Sequence, residues 1–594
     1  MNSTSVSGKI WIYKDFNEEE ITFLKDNFFV DEIVAKLLSI RKIKKEEVNS
    51  FLNPSIKNFL PDPDNLLDMK KSSLRTLDAI QKKEKIGVFG DYDVDGATSA
   101  AILGKYFNQL KMDYEIYIPD RKTEGYGPSI KGFQELIEKN VKIIFTVDCG
   151  TLSYDAIEYA NSHNVNVIVL DHHQSEIKLP DAYSIINPNR FDDKSNLQHL
   201  CAAGVSFMFL VSLNKYLRSK NWFEINSLKE PNLLEFLDLV SLGTVCDVVP
   251  LKGLNRAIVK QGLKVLKAKK NLGLKTLSEI CKIETNLSIY HLGYMLGPRI
   301  NAGGRVGKCS HGVNLLLKSN PKEVFKLASE LDHFNKERQL LEKKLLENIL
   351  TNMNIKFNDP VLVLHGDNWH EGIIGIVASR LKEKFGKPVI IISLKEKIGK
   401  ASARSVVGFD IGQAILSAVQ NKILLKGGGH KMAGGFSINV DKIEKLKEFM
   451  INRFTKEIQN TPKIKSLFID SKIAASALNL EFFNKVDSLS PFGSGNPEPK
   501  FIIEDLKSVN SKVVGEKHIK TILLGPEGTS IKAIAFNAKD NELGAYLLKK
   551  NKNTFNIAGK LSLNEWRGQK NVEFIIDDIS VNKNIKNKVP SSIG

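Results

Sequence analysis

The stretch KIGVFGDYDVDGATS, residues 85–99, decides how this chain is read. It opens on a short apolar run and turns abruptly acidic, with Asp91, Asp93 and Asp95 at alternate positions. Two later runs end the same way: KIIFTV (142–147) meets Asp148, and VNVIVL (165–170) meets Asp171-His172-His173. The apolar runs at 86–89, 116–118, 143–147 and 167–170 alternate with amphipathic helical stretches, the signature of strand–helix–strand units and a mostly parallel sheet. Ligands of open α/β sheets bind beyond the carboxyl ends of the strands, so these acids should converge on one rim. Alternate residues of an extended segment point the same way, so Asp91, Asp93 and Asp95 are expected on one side. A fourth acid, Asp247, follows a helical run in the loop GTVCDVVP (243–250).

One Asp after a strand is often only a helix cap or turn former. Three acid-ended strands with a histidine pair ask for more. Packed carboxylates raise one another's pKa unless cations neutralise them. Oxygen and imidazole donors without thiolate suit Mn²⁺ or Mg²⁺ better than Zn²⁺. Two such ions about 3.5–4 Å apart can activate water and stabilise both oxygens of an in-line displacement at phosphorus. The chemistry expected is phosphodiester hydrolysis.

Outward from this core the chain divides into an N-terminal helical and irregular segment (1–80), the acid-bearing α/β domain (81–320), a connecting helix (321–357), a second α/β domain (358–455), a β-rich segment (464–583) compatible with an OB-like barrel, and a disordered tail (584–594). The polar stretch 456–463 reads as a linker. Three glycine-rich stretches carry isolated cations: GPRINAGGR (297–305), HEGIIGIVASR (370–380) and GGGHKMAGGF (427–436). Glycine lets backbone N–H groups approach an anion, and arginine adds bidentate phosphate contacts. His370-Glu371 begins like a zinc-protease motif, but Ile374 stands where its second histidine would be.

The motifs GDYDVDG (90–96), TVDCG (146–150), DHH (171–173) and LGTVCDVVP (242–250) resemble the ordered motifs of the DHH phosphoesterases, and GDYDVDGATS resembles the RecJ branch in particular. The glycine-rich stretches resemble the same branch, in which GGGHxMAGGF belongs to the DHH-associated domain that grips substrate. The resemblance spans about residues 30–583. It implies Asp93, Asp95, Asp148, His172 and Asp247 as ligands of two Mn²⁺ or Mg²⁺ ions, with Asp148 the bridge. His173 would contact the scissile phosphate or orient a ligand, and Asp91 would be a ligand or an outlying base. With Asp148 these two form the catalytic set. Arg121, Arg305, Ser402 and Arg404 would hold the nucleic-acid backbone and the 5′-phosphate end, and His430 the phosphate nearest the metals. Arg299 and His370 join the substrate-binding candidates, each arginine having the alternative of a domain-bridging ion pair. In the β-rich segment Phe492, Phe501, Phe536 and Trp566 are available to stack bases, and Glu573 stands where the branch usually has glutamine.

The formal charge of +17 favours a polyanionic partner, although lysine-rich chains are often basic without touching nucleic acid. No apolar run approaches the roughly 18 residues of a membrane span, and the N-terminus is acidic where a signal peptide would be apolar. Five scattered cysteines form no CxxC pair, which argues against a disulfide framework and for the cytoplasm. The expected function is a 5′-to-3′ exonuclease of single-stranded DNA in repair and recombination. It would act as a monomer, with a single-strand-binding protein and a helicase as partners by analogy. One alternative is a DHH phosphodiesterase of short oligonucleotides or cyclic dinucleotides. The other is a DNA-binding replication scaffold on an inactivated DHH core.

Overall fold

The computed structural model describes residues 5–121, 123–352, 359–458, 465–549, 553–566 and 568–581. The acidic stretch follows the first strand of a five-stranded, all-parallel sheet. Its order is Tyr114–Tyr117, Ile86–Gly90, Ile143–Val147, Asn166–Leu170, Ser184–Ile186. The two central strands, Ile86–Gly90 and Ile143–Val147, are buried along their whole length, which is why their sequence is continuously apolar rather than alternating. Strand order reverses between these two, so the crevice at their carboxyl ends is the topological switch point. Asp91 and Asp148 stand there. Helix Val94–Gln109 covers one face and packs against helices Ala202–Ser219 and Leu237–Cys246 in the largest apolar core.

Helix Pro321–Asn352, about 48 Å long at 1.5 Å per residue, joins two lobes. Val324, Ala328 and Leu331 enter the core of the first lobe, whereas Leu345 and Ile349 enter that of the second. The second lobe is a mixed five-stranded sheet ordered Lys426–His430, Ala433–Asn439, Ile398–Arg404, Val389–Lys395, Leu362–Asp367. Beyond it, strands Phe501–Val514, His518–Leu524, Ser530–Ala535, Gln569–Ser580 and Phe555–Trp566 pair in that order. The last returns to pair with the first, closing a five-stranded barrel. The expected architecture of α/β lobe, long helix, second α/β lobe and OB-like barrel is the one observed.

Two local expectations differ. Residues 1–80 are not only helical and irregular: strand Ile10–Tyr13 pairs in parallel with Ser466–Ile469. Ile21, Leu24, Val34, Leu37 and Leu38 share one buried cluster with Phe501 and Phe574 of the barrel. Part of the N-terminal segment is therefore a wall of the C-terminal domain, a pairing across some 450 residues that no local pattern carries. Helix Ile443–Ile458 runs into the expected linker, whose residues 459–463 lie outside the described ones, as does the tail 584–594. Among the described residues no helix is long and apolar enough to cross a membrane.

Candidate active site

Each acid is aimed by a different local device. Asp93 caps helix Val94–Gln109, its carboxylate accepting from the backbone N–H of Asp95 (2.9 Å) and Gly96 (3.1 Å). The helix thus begins inside the acidic run, so Asp91, Asp93 and Asp95 do not alternate along a strand as the sequence reading supposed. They converge because strand end, cap and first helical turn curl around one point. Gly96 is required there: a Cβ would lie 2.5 Å from the Asp91 carbonyl oxygen. Asp95, 1% exposed, accepts from Ala202 N (2.6 Å) and Ala203 N (2.9 Å) at the start of helix Ala202–Ser219, where the helix dipole favours an anion. Asp148 sits in the left-handed region (φ 61°), and Asp247 terminates helix Leu237–Cys246.

The histidines connect these acids. His172 Nε2 lies 3.2 Å from Asp148, 3.6 Å from Asp247 and 3.7 Å from Asp95. His173 Nδ1 lies 2.8 Å from Asp171 and 3.9 Å from Asp148. Among the described residues, three groups hold ligand atoms within 4.8 Å of one another: Asp91/Asp93/Asp148, Asp95/His172/Asp247 and Asp148/His172/His173.

The electrostatics are those of a site suited to hold cations. Burial, then the Asp93 charge, pushes Asp91 well above the ordinary carboxylate range. Burial, followed by Asp93, Asp95 and Asp91, does the same to Asp148. Burial with Asp95 and Asp93 takes Asp247 up to about 8. Burial lowers His172. It would also lower His173, but the hydrogen bond and charge of Asp171 outweigh it and lift that imidazole to about 9. Asp91 Oδ1 is buried with no hydrogen-bond partner, a costly state unless a ligand fills it. The donor set is oxygen and imidazole. The thiols of Cys149, Cys201 and Cys246 are pushed up by burial and stay protonated, which suits hard divalent cations and disfavours zinc.

Two contributors escaped the sequence reading of the site. Asp171, quoted in the motif but given no role, accepts from the N–H groups of His172 (2.8 Å) and His173 (3.2 Å) and from Thr151 (N 3.1 Å, Oγ1 2.6 Å). Burial would raise it, yet the hydrogen bond from His173 holds it well below the usual range. It fixes the His173 ring and the backbone of both histidines without joining the cluster. Tyr126 donates to the Asp148 carbonyl (3.0 Å), and its hydroxyl is 3.2 Å from His173 Nε2. The only hint in sequence was a tyrosine between two glycines beside Arg121.

A cavity of about 1530 Å³ opens between the lobes from Tyr126. Arg121, Arg305, His370, Ser402 and Arg404 line it together, although they come from both lobes. Arg305 donates across the divide to the Gly372 carbonyl (3.0 Å), and burial with Arg121 and Arg338 nearby lowers it to about 10. Cations that depress one another in a cavity are poised for an anion. His370 caps helix Glu371–Phe385 through Gly372 N (3.1 Å). Two candidates do not reach the cavity wall. Arg299 is held by Asp332 (2.9 Å) on the connecting helix and by the Met295 carbonyl (2.7 Å), so its ion-pair alternative is the one realised. His430 is exposed at the end of strand Lys426–His430.

Of the aromatics named for stacking, Phe501 is fully buried in the barrel core, Phe492 is partly buried and Phe536 is 52% exposed. The Trp566 side chain lies outside the described ones. Glu573 pairs with Lys520 (2.9 Å), a structural use of the position.

Family models match three segments of the chain: "DHH family, N-terminal domain" over residues 85–244, "DHHA1 domain" over 358–456 and "RecJ OB domain" over 469–578. Sheet, acid cluster and second lobe together define a DHH phosphoesterase. Among curated proteins the chain is 34% identical to the single-stranded-DNA-specific exonuclease RecJ of Salmonella typhimurium, covering 84% of this chain and 88% of that one. It is likewise 34% identical to that of Escherichia coli, covering 89% and 92%. A crystal structure of RecJ in complex with Mn²⁺ from Thermus thermophilus superposes with a TM-score of 0.81 at 26% identity, covering 98% of this chain and 81% of that one. The chain belongs to the RecJ family.

Proposed function

We propose that this protein is a divalent-cation-dependent exonuclease specific for single-stranded DNA, degrading it from the 5′ end. The observation that carries the reading is the adjacency of the Asp148-centred cluster to the cation-lined cavity, with Tyr126 touching both. Asp93, Asp95, Asp148, His172 and Asp247 would hold two Mn²⁺ or Mg²⁺ ions, and Asp148, common to two of the groups, is suited to bridge. Bound there, such ions lower the pKa of water and neutralise charge developing at phosphorus. The remaining work falls to side chains. Arg121, Arg305 and Arg404 bind phosphate oxygens, with Ser402, 3.1 Å from Arg404 Nη1, fixing that guanidinium. His173, its Nδ1 proton held on Asp171, presents a cation to the scissile phosphate. Asp91 stands beside Asp148 as a ligand or base.

Several cations grouped in one cavity suit a terminal phosphate, with its extra charge, better than an internal one, which supports attack from a chain end. The length of the chain and its barrel favour a polymer over a dinucleotide as substrate. All the proposed carboxylate and imidazole ligands are present and mutually close, which disfavours an inactivated scaffold. The five cysteines are unpaired, in keeping with a cytoplasmic setting. There we place the protein in repair and recombination, as a monomer with a single-strand-binding protein and a helicase as partners. The test is digestion of an internally labelled, 5′-phosphorylated oligonucleotide with Mn²⁺, Mg²⁺ or EDTA, beside a 3′-blocked copy and a blunt duplex. Metal-dependent release of mononucleotides, indifferent to the 3′ block and absent on duplex, is expected. Cleavage stopped by the 3′ block would overturn the polarity, and intact DNA in every lane the reading itself.

A further inference from the structure

A second cavity, of about 380 Å³, is lined by the chain neighbours of Asp247 and not by Asp247 itself. Its floor is the chain on either side of that acid, Thr244–Cys246 and Val248–Val249. Val248 is a β-branched residue in the left-handed region (φ 60°) and 68% exposed, a strained conformation of the kind kept at working sites. One wall is the helical segment around His291–Leu296, which winds as a π-helix, a geometry frequent at functional sites. This turn stacks Tyr290 on Tyr294, ring centroids 5.3 Å apart and planes 28° from parallel. Yet the two rings remain 62% and 73% exposed. The opposite wall is the barrel domain's loop, with Phe492, and Lys560 paired with Glu498 at its edge.

Both walls are tied to the metal-binding loop. Cys246 Sγ donates to the Leu292 carbonyl at 3.5 Å, and Gly297 leaves room for it, since a Cβ there would lie 2.5 Å from the sulfur. The Leu251 N–H donates to the Ser494 carbonyl at 2.7 Å. Arg256, 1% exposed, donates to the carbonyls of Leu489 (2.8 Å), Ser490 (2.8 Å) and Pro491 (3.2 Å). The cleft between Tyr290/Tyr294 and Phe492 is therefore braced, at both sides, against the loop that carries Asp247.

We propose that this cleft is a nucleobase subsite: bases of the single strand leaving the metal centre toward the barrel stack on the Tyr290–Tyr294 pair. Solvent-facing aromatics offer every base a π-face and so bind without reading sequence. Their place across one cavity from the loop that carries Asp247, and the basic character of the chain, favour nucleic acid over a protein side chain as occupant. The inference rests on the nuclease reading above.

The test measures binding of a phosphorothioate-linked oligonucleotide, which resists cleavage, to the Mn²⁺-loaded protein. Tyr290→Ala/Tyr294→Ala should weaken binding roughly tenfold or more, and Tyr290→Phe/Tyr294→Phe should retain it. In a series carrying one abasic residue at successive positions, one position should weaken binding to the wild type and have no effect on the alanine variant. An alanine variant of wild-type melting temperature that binds as tightly as wild type would overturn the subsite, as would equal abasic losses in both proteins. If the wild type digests single-stranded DNA while either of those results is found, this inference alone fails. A wild type that leaves single-stranded DNA intact removes the nuclease reading first.

Discussion

The acid cluster and the cation-lined cavity are neighbours assembled in opposite ways. The acids come from one lobe. Asp91, Asp148 and Asp171 each follow a strand of one parallel sheet, and its topology alone brings them to one rim. The cavity's cations come from two lobes: Arg121 and Arg305 from the first, and Arg404, beside Ser402 on strand Ile398–Arg404, from the second. Their meeting depends on helix Pro321–Asn352 and on contacts such as Arg305 to Gly372. The proposed chemistry therefore draws on one sheet and the helices beside it, and the proposed substrate grip on two lobes held together.

If that contrast is right, loss of a cluster acid should be the most severe change. Asp148→Ala should lower turnover by roughly a thousandfold or more while leaving the melting temperature at least as high, because it removes a buried carboxyl whose ionised form burial and Asp93, Asp95 and Asp91 all oppose. Steady-state rates and thermal melts on the same preparation check both halves.

The cavity should fail in a different currency. Arg404→Ala should weaken binding of a 5′-phosphorylated oligonucleotide about 10–100-fold, as expected for losing charge-assisted hydrogen bonds. The 5′-hydroxyl oligonucleotide should suffer less, and equal losses for the two ends would remove the arginine from the terminal phosphate. Asp171→Asn sharpens the comparison from beside the cluster. It removes the anion that lifts His173, so the pKa of that ring should fall from about 9 toward its ordinary value, as histidine NMR would report. Because His173 faces the scissile phosphate rather than the cations, turnover should drop about 10–100-fold while Mn²⁺ affinity changes little, which rates and metal titration on the same variant would separate.

The smallest effect is in protons. The metal-free cluster holds protons that ordinary carboxylates would have lost by neutral pH, with Asp247 retaining its own up to about 8. Cations must displace them, so Mn²⁺ binding should release protons at pH 7 and fewer at pH 9, and apparent affinity should rise as pH climbs through 8. Calorimetry in buffers of different ionisation enthalpy reads the proton count directly. A count of zero at pH 7 would mean the acids are already ionised.

What sequence could show follows the same divide. Runs of β-branched residues that end in Asp are local facts, and one rule about parallel sheets carries them to a shared rim. The mistaken alternation of Asp91, Asp93 and Asp95 arose because a helix cap and a strand end look alike until the first hydrogen bond of the helix is placed. Asp171 is unassigned in the sequence because its role lies in the three residues it accepts from, and Thr151 is 20 residues away. Arg299 and Arg305 sit six residues apart in one glycine-rich stretch. One meets Asp332 and the other faces the cavity, a difference set by helical phase and partners. The strand Ile10–Tyr13 was illegible for the same reason: its partner lies at the far end of the chain.

The central claim is that Asp148 stands between two divalent cations held by the acids and His172. Anomalous scattering from crystals of the protein grown with Mn²⁺ tests it most directly. Two peaks, both within coordination distance of the Asp148 carboxylate, one of them also near Asp93 and one near His172, are the result expected. A single peak, or manganese bound away from Asp148, would contradict it.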